Sequence, residues 1–252
     1  LRDGLQSMKK CWSLTEKKKL LSTIMSEKNP SALEVGSMVS PKVLPQMADS
    51  LELFHYAKRV YKNKEFYLLV PNHNTAHRAN DLFVDNISLI TSVSESFQQK
   101  NIRKSLSETK SDIERSIQLP FQNVKLYISC IPNCPIEGEI PHHIIMRELK
   151  YYSMFNKITE FCISDTTGAF TLSTLKTILP KICDIVPNDK LSLHLHVDNK
   201  DPKTTALLHY AMQYVSKFDV SYFDSSGGCT VTMGDDVKSN VSYESIERVD
   251  EL

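Results

Sequence analysis

The sequence is poor in glycine. Only 7 of its 252 residues are glycine, which is less than half the share of roughly 7% that proteins usually contain. Glycine adopts backbone conformations that other residues avoid, so the few glycines of such a chain mark positions with special requirements. They fall in "RDG", "EVGS", "IEGE", "DTTG", "SSGG" and "TMGD", mostly just after apolar, β-rich runs. We therefore expect functional loops at the ends of predicted strands.

Long apolar runs and an excess of one charge are also absent. No stretch of the sequence approaches the roughly 18 apolar residues that a membrane-spanning helix needs. The chain has 30 basic and 30 acidic residues, so we expect no attraction to nucleic acid or to an anionic membrane. No signal peptide is visible. These absences predict a soluble intracellular protein, cytoplasmic or mitochondrial, that binds neither nucleic acid nor membranes.

The six cysteines form no CxxC pair, which argues against a structural zinc site or a thioredoxin-like motif. They are scattered along the chain, as reduced thiols of an intracellular protein are, rather than arranged as a disulfide framework. Cys130 and Cys134 flank "IPN" in a predicted loop. Two interpretations stay open for them: two ordinary thiols, or a redox pair.

Apolar, β-branched runs alternate with stretches of helical spacing. The runs predict strands at 32–38, 65–71, 86–93, 124–130, 160–166, 191–197 and 220–226. Helical periodicity is present at 14–25, 101–119, 141–155, 173–186 and 203–218. Strands separated by helices indicate βα units and a parallel sheet. With an eighth strand placed before Arg2, they predict an α/β fold, a (β/α)8 TIM barrel whose first strand is missing from the chain, with residues 1–252 as a single domain.

The active site of such a barrel lies at the carboxyl ends of its strands. The polar residues at the predicted ends are Arg2, Asp3, Gln6, Glu34, Ser37, Asn72, Ser94, Glu95, Ser129, Cys130, Asp165, Thr166, His194, His196 and those in 224–229. Carboxylates, imidazoles and thiols are the side chains that ligate metals. We expect this set to converge on one face of the barrel.

His194-Leu195-His196 is the sharpest local motif. Residues i and i+2 of a strand point to the same face, so both imidazoles enter the barrel mouth together. Two imidazoles with a carboxylate from a neighbouring strand end predict a site for a divalent metal, with Asp3 as the candidate third ligand. The alternative is a pair of partly buried histidines that hydrogen-bond within the core.

Other candidates for catalysis flank the glycine-containing segments. Two glycines precede Cys229 and predict a flexible loop that carries its thiol over the site, where a cysteine with a tuned pKa serves as acid or base. A buried free cysteine beside a turn is the alternative. Arg2 either clamps a carbonyl or carboxylate of a ligand or pairs with Glu34 or Asp165. Those two acids are candidates for a general base or for orienting residues.

Seven motifs, taken together, resemble those of one family. They are "RDGLQ", "LEVGSMVSPKVLPQMADS", "SESFQQKNI", "YISCIPNCPIEG", "SDTTG", "HLH" and "DSS" followed by "GGC". Their order and approximate spacing are similar to those of 3-hydroxy-3-methylglutaryl-CoA (HMG-CoA) lyases, which belong to a metallolyase superfamily on a TIM barrel. The resemblance covers nearly the whole chain. Its longer motifs are far more specific than a lone HxH pair.

The resemblance implies cleavage of HMG-CoA, an acyl-CoA substrate, to acetyl-CoA and acetoacetate with Mg²⁺ or Mn²⁺. It also implies a homodimer. The metal ligands that it implies are Asp3, His194, His196 and Asn240.

The same resemblance implies roles for the remaining candidates. Arg2 would stabilise the enolate of the departing acetyl-CoA, and Cys229 would be the loop thiol that transfers a proton. Glu34 and Asp165 match acidic residues of the family's site. The substrate-binding residues implied in the same way are Gln6, Lys9 and Ser37.

The sequence also departs from the family's pattern. Val197 follows the second histidine, where the family usually has aspartate. Ser226 is followed directly by Gly227, whereas the family has about four further residues between the "DSS" and "GGC" motifs. Two alternatives therefore stay open: a related retro-aldol or Claisen-type enzyme acting on another acyl-CoA or 2-oxo acid, and a catalytically inactive homologue. Joint retention of the arginine, the three metal-ligand candidates and Cys229 argues against the inactive barrel, because packing alone does not require them.

Overall fold

The computed structural model describes residues 1–8, 10–197, 201–215, 217–222 and 229–233. The strands are β1 (Ala32–Ser37), β2 (Glu65–Leu69), β3 (Asn86–Ser92), β4 (Asn123–Ser129), β5 (Asn133–Cys134), β6 (Gly138–Glu139), β7 (Glu160–Ser164), β8 (Leu191–Val197), β9 (Lys217–Tyr222) and β10 (Cys229–Met233). The helices are α1 (Arg2–Ser7), α2 (Leu14–Glu27), α3 (Ser50–Val60), α4 (His73–Asp81), α5 (Glu95–Ile102), α6 (Leu106–Ser116), α7 (His142–Ser153), α8 (Leu172–Cys183) and α9 (Pro202–Ala211). Among these residues, no helix has the length and apolar character needed to cross a bilayer.

One curled sheet carries the functional side chains. Its strand order is β1-β2-β3-β4-β7-β8-β9-β10, and β1 to β9 pair in parallel along this order. The β3–β4 register runs from Asn86 opposite Asn123 to Ser92 opposite Ser129. Helices connect the successive parallel strands, as in βα units, and the sheet forms a partial (β/α)8 barrel. Six predicted strands are confirmed, and the seventh, predicted over 220–226, overlaps β9 at 220–222, while 223–226 lie outside the described residues. The short β5–β6 hairpin was not predicted.

The strand β10 differs from the prediction. Its backbone pairs antiparallel with β9, from Cys229 opposite Tyr222 to Met233 opposite Phe218, and it also lies beside β1 and α1. Cys229 was predicted to lie on a loop, whereas its backbone begins a strand; the two glycines of the predicted loop, Gly227 and Gly228, lie outside the described residues. An open sheet edge presents unpaired N–H and C=O groups that any available strand can satisfy. In this structure β10 satisfies them at the place where a parallel strand before Arg2 was expected.

The segment at Arg2 is helical, although it was predicted as the loop after a strand. Leu1 and Leu5 are both buried, and the Leu5 amide donates to the Leu1 carbonyl at 3.1 Å. Positions four apart lie on one face of a helix, so this apolar pair holds α1 against the protein. The polar residues Arg2, Asp3 and Gln6 therefore come to the site from a helix beside β1.

Amphipathic helices cover the outside of the sheet. The apolar stripe of α8 is fully buried at spacing i, i+3, i+4 and i+7 and consists of Leu175, Ile178, Leu179 and Ile182. The predicted helix over 101–119 is divided into two helices, because Arg103 adopts a left-handed conformation with φ 60° and ends α5. Ser105 then begins α6 through a capping box with Glu108. The predicted helix over 203–218 ends at Ala211, since 217–222 joins the sheet.

The interior of the barrel is layered. An apolar group of Leu69, Tyr127 and Cys162 lies inside the sheet, with Val39 and Ile90 packed against it. Nearer the amino ends of the strands, Lys125 and Glu160 form an ion pair of 2.9 Å. The candidate site lies on the other side of the apolar group, at the carboxyl ends.

Candidate active site

Asp3 and the two histidines of β8 form the only metal-ligand cluster found among the described residues. Their ligand atoms all lie within 4.8 Å of one another. His194 Nε2 is 2.9 Å from His196 Nε2 and 3.9 Å from Asp3 Oδ2. The two imidazoles converge because alternate residues of a strand share a face. One carboxylate and two imidazoles are a donor set suited to divalent ions, so these residues fit the predicted metal.

Arg2 connects this cluster to β1. Its Nε donates to Glu34 Oε1 at 2.6 Å, and its Nη1 donates to Asp3 Oδ1 at 2.8 Å. Burial by itself disfavours the charge of Arg2, but the Glu34 and Asp3 carboxylates outweigh burial and raise the pKa of the guanidinium. Arg2 is thus a fixed positive charge that also orients Asp3. Of the alternatives for Arg2, the structure shows the pairing with Glu34.

Two polar atoms of this group have no hydrogen-bond partner among the described residues. Glu34 is 7% exposed, and its Oε2 is buried without a hydrogen-bond partner among the described residues. The hydrogen bonds of Arg2 in the described part of the chain use Nε and Nη1, which leaves Nη2 as a donor. A buried carboxylate oxygen ordinarily has a partner. A donor on the substrate or a bound water would supply it.

Asp165 fixes the loop that follows β7. It is fully buried, and its Oδ1 and Oδ2 accept from the amides of Ala169 at 2.8 Å and Phe170 at 3.0 Å. Its own amide donates to the His194 carbonyl at 2.9 Å. Burial raises the pKa of the Asp165 carboxyl to about 6, although the amide donors act in the opposite direction. Because both oxygens are occupied by the loop, this geometry favours the orienting role over the general-base role.

Two glycines near the site occupy positions that only glycine fits well, as the scarcity of glycine in the sequence predicts. Gly168 has φ +67°, and a Cβ there would lie 3.1 Å from the His196 carbonyl oxygen. A Cβ on Gly36 would lie 2.3 Å from Ser50 Oγ, which accepts from the Ser37 amide at 3.0 Å. Gly36 permits a close approach that a side chain would block, and Gly168 adopts a left-handed conformation that other residues rarely adopt.

The predicted substrate-binding residues have different surroundings. Gln6 Oε1 accepts from Arg2 Nη1 at 3.4 Å and so belongs to the site. Ser37 is buried, and its hydroxyl donates to the Leu69 carbonyl at 3.3 Å while accepting from the Val39 amide at 3.2 Å. Its hydroxyl is therefore occupied by backbone. Lys9 lies outside the described residues.

Further candidates are either helix caps or lie outside the described residues. Asn72 and Ser94 accept from the amides of Thr75 and Phe97 and cap α4 and α5, which explains why these polar residues follow strands. Asn240 lies outside the described residues, and only the backbone of Cys229 is described. The roles of Cys229 and Asn240 stay predictions.

Sequence reasoning missed Tyr127, which lies between the site and the apolar interior. Its ring centre is 5.8 Å from the Arg2 guanidinium carbon, and its ring meets that of His194 edge-on at 6.2 Å. A cation over an aromatic face is stabilised by the ring quadrupole. The alternation of the strand could have indicated it, because Lys125, Tyr127 and Ser129 are alternate residues of β4 and therefore share its inward face.

Comparisons with known proteins bear on the family and on the fold. The HMGL-like family model matches residues 1–214. The chain is 32% identical to the mitochondrial hydroxymethylglutaryl-CoA lyase of Macaca fascicularis, over 92% of this chain and 71% of that protein. It is 30% identical to the 3-hydroxy-3-isohexenylglutaryl-CoA/hydroxymethylglutaryl-CoA lyase of Pseudomonas aeruginosa, over 97% of this chain and 80% of that protein.

The fold has a counterpart among solved structures. An HMG-CoA lyase from Acinetobacter baumannii, in complex with coenzyme A and 3-methylmalate, superposes with a TM-score of 0.80 at 23% identity. The match covers 93% of this chain and 78% of that one, and it supports the barrel fold. The motifs, the barrel and the relatives agree, and the chain belongs to the HMGL-like family of lyases.

Proposed function

We propose that this protein cleaves HMG-CoA to acetyl-CoA and acetoacetate with the aid of Mg²⁺ or Mn²⁺. The observation that carries the proposal is the convergence of Asp3, His194 and His196 next to the fixed charge of Arg2. The similarity to HMG-CoA lyases supports the reaction class. The coenzyme A bound in the Acinetobacter baumannii relative supports an acyl-CoA substrate.

The three clustered side chains would hold the ion, with the predicted Asn240 as a further ligand. When bound, a divalent ion of this kind acts as a Lewis acid that lowers the pKa of a hydroxyl group it coordinates. The Arg2–Asp3 bond keeps the carboxylate turned toward the imidazoles. The hydrogen bond from the Asp165 amide to the His194 carbonyl holds β8 and the loop after β7 together.

The tertiary hydroxyl of the substrate must lose its proton before the carbon–carbon bond breaks. Glu34 Oε2, which is buried and open to a partner, is the candidate acceptor for that proton. As the bond breaks, one fragment becomes the ketone acetoacetate and the other becomes the enolate of acetyl-CoA. The enolate carbon then takes a proton, and Cys229 is the proposed donor.

Arg2 is the proposed stabiliser of the enolate. Its Nε and Nη1 are held by Glu34 and Asp3, so its Nη2 can meet the developing oxygen charge without reorganisation. Tyr127 packs against the guanidinium and limits its movement. A fixed donor of this kind typically contributes about 100-fold to 1000-fold in kcat.

A second candidate function is cleavage of a 3-hydroxy-3-alkylglutaryl-CoA with a longer alkyl group. It is favoured by the relative from Pseudomonas aeruginosa, whose name includes a 3-hydroxy-3-isohexenylglutaryl-CoA lyase. The two candidates share the reaction and differ in the space required beside the tertiary carbon.

The test is release of acetoacetate from HMG-CoA by the purified protein with Mg²⁺, with Mn²⁺ and with EDTA. Metal-dependent product is the expected result. If the folded protein binds Mn²⁺ and yields no product, HMG-CoA cleavage is excluded. The isohexenyl substrate then separates the second candidate from an inactive barrel.

Arg2→Lys provides a matched variant, because it keeps the charge and removes the planar fork that holds Glu34 and Asp3. We expect kcat to fall by about 100-fold or more. Arg59→Lys, the same change at an exposed position of α3, is the control and should retain full activity. Equal activities of the two variants would contradict the role of Arg2.

A further inference from the structure

A second chemically distinctive group lies outside the metal-ligand cluster. Cys130 follows β4, and Cys134 lies in β5, four residues later. Both are buried, with 0% and 2% exposure, and the two thiols are close enough to influence each other's pKa. The sequence left open whether these are ordinary thiols or a redox pair.

The surroundings of the two sulfurs are unequal. Cys134 Sγ accepts from the backbone amides of Ile136 at 3.3 Å and Glu137 at 3.4 Å. The Cys134 thiol donates to Ser94 Oγ at 3.1 Å, and Ser94 is fixed as the cap of α5. Two backbone N–H groups thus converge on one sulfur, and the Ser94 hydroxyl lies where it can donate as well once the thiol has lost its proton, which is an arrangement that stabilises a thiolate.

The pKa values of the two thiols shift in opposite directions, as these different surroundings predict. Burial by itself raises the pKa of Cys134, but the hydrogen bonds from Ser94, the two amides and Cys130 outweigh burial and lower it. Burial and the neighbouring Cys134 raise the pKa of Cys130. The two thiols therefore differ in acidity, and Cys134 is the more acidic of the two. Burial also raises the pKa of Cys183, which makes that residue a useful internal reference.

We propose that Cys134 is a site of oxidation by small hydroperoxides and that Cys130 converts the product into an intrachain disulfide. In the first step the Cys134 thiolate attacks one peroxide oxygen. A sulfur–oxygen bond forms, the oxygen–oxygen bond breaks, and hydroxide, or alkoxide from an alkyl hydroperoxide, leaves and combines with the proton that the Cys134 thiol released on ionisation. In the second step Cys130 loses its proton and attacks the Cys134 sulfur, so that the sulfur–sulfur bond forms and the hydroxyl leaves as water. The two thiols lose two electrons, which the peroxide gains.

The position of the pair fits a small oxidant. Residues 135–137 are exposed and lie directly next to Cys134, with Ile136 at 45% exposure. The chain therefore reaches the surface one residue after Cys134. The pair also contacts the loop after β7, because the Cys130 amide donates to Thr166 Oγ1 at 2.8 Å. The oxidation does not depend on the lyase reaction.

The experiment treats the reduced, full-length protein with hydrogen peroxide, alkylates the remaining thiols and examines tryptic peptides by mass spectrometry. Both cysteines lie in one tryptic peptide, residues 126–147. We expect this peptide to lose two hydrogens and to escape alkylation, while Cys183 is alkylated. Dithiothreitol should reverse the change.

Two variants separate the roles of the thiols. With Cys130→Ser, the sulfenic acid on Cys134 should persist and react with dimedone. With Cys134→Ser, Cys130 should stay reduced and alkylatable. Ser94→Ala should slow oxidation of Cys134 roughly fivefold, since one hydrogen bond to its sulfur is lost.

The wild-type protein alone can overturn the proposal, so it does not depend on how the variants fold. Oxidation of Cys11 or Cys183 before Cys134 would contradict it. A disulfide that joins Cys134 to another cysteine, Cys229 included, would contradict the assignment of Cys130 as its partner.

Discussion

Replacing Glu160 by glutamine removes one charge of the buried ion pair at the amino ends of the strands. Glu160 Oε1 lies 2.9 Å from Lys125 Nζ, and the two side chains are 12% and 11% exposed. The Ser192 hydroxyl donates to the same oxygen at 2.7 Å, and Lys217 Nζ lies 3.7 Å from Oε2. Glutamine keeps the shape of the side chain, so the variant isolates the charge.

The expected loss is large because Lys125 keeps its charge in a buried place without the Glu160 carboxylate. Breaking a buried pair from one side typically costs about 3–5 kcal/mol. Since both side chains retain slight exposure, we expect about 3 kcal/mol for Glu160→Gln. Lys125→Met should cost less, about 2 kcal/mol, because Ser192 and Lys217 still compensate Glu160. The double variant should also lose about 2 kcal/mol, which corresponds to a coupling energy of about 3 kcal/mol.

The pH dependence supplies an independent check. Burial opposes ionisation of Glu160, but Lys125, Ser192 and Lys217 outweigh burial and lower the pKa of its carboxyl. A carboxyl whose pKa is lower in the folded state stabilises the protein above its unfolded pKa, about 4.3 for glutamate. That stability is lost as the pH falls through the lower folded pKa. The difference between the wild type and Glu160→Gln should therefore be full at neutral pH and shrink in acid below about pH 4.3.

Urea unfolding followed by circular dichroism, at neutral pH and in a series down to pH 3, measures these quantities. A Glu160→Gln variant within about 0.5 kcal/mol of the wild type at neutral pH would refute the reasoning. So would a difference that stays constant in acid. A double variant whose loss equals the sum of the two single losses would show that the two charges are not coupled.

Three further predictions concern the candidate site. Gly168→Ala should cost about 1–2 kcal/mol of unfolding free energy and reduce turnover, because its φ is +67° and the new Cβ approaches the His196 carbonyl oxygen; thermal unfolding and steady-state kinetics measure both. His194→Ala should lose Mn²⁺ binding and turnover together, as read by electron paramagnetic resonance and the acetoacetate assay; retained Mn²⁺ binding would remove this residue from the metal site. Cys229→Ala should keep Mn²⁺ binding but lower kcat by about tenfold or more, and near-normal turnover would contradict its role as proton donor.

The sequence by itself determined the elements whose signals are local. Alternation of apolar runs and helical spacing predicted seven strands, because the face on which a side chain lies depends on the period of its own element. The same argument placed His194 and His196 side by side, since they belong to one strand. The motifs allowed the family to be identified from the sequence, because each motif is a continuous stretch of the chain.

Tertiary structure alone decided contacts between residues far apart in the chain. The partner of Arg2 is Glu34, 32 residues away, although Asp165 was an equal candidate from the sequence. The oxygens of Asp165 are occupied by the amides of its own loop, which polarity patterns do not show.

The backbone at the two ends of the sheet was also decided by tertiary structure. Arg2–Ser7 are helical because Leu1 and Leu5 find a buried surface, and β10 is a strand because it pairs with β9. Ser94 meets Cys134 for the same reason, since the strands before them, β3 and β4, are neighbours in the sheet. These outcomes depend on which distant surfaces the curled sheet brings together, and no local period of the sequence encodes that.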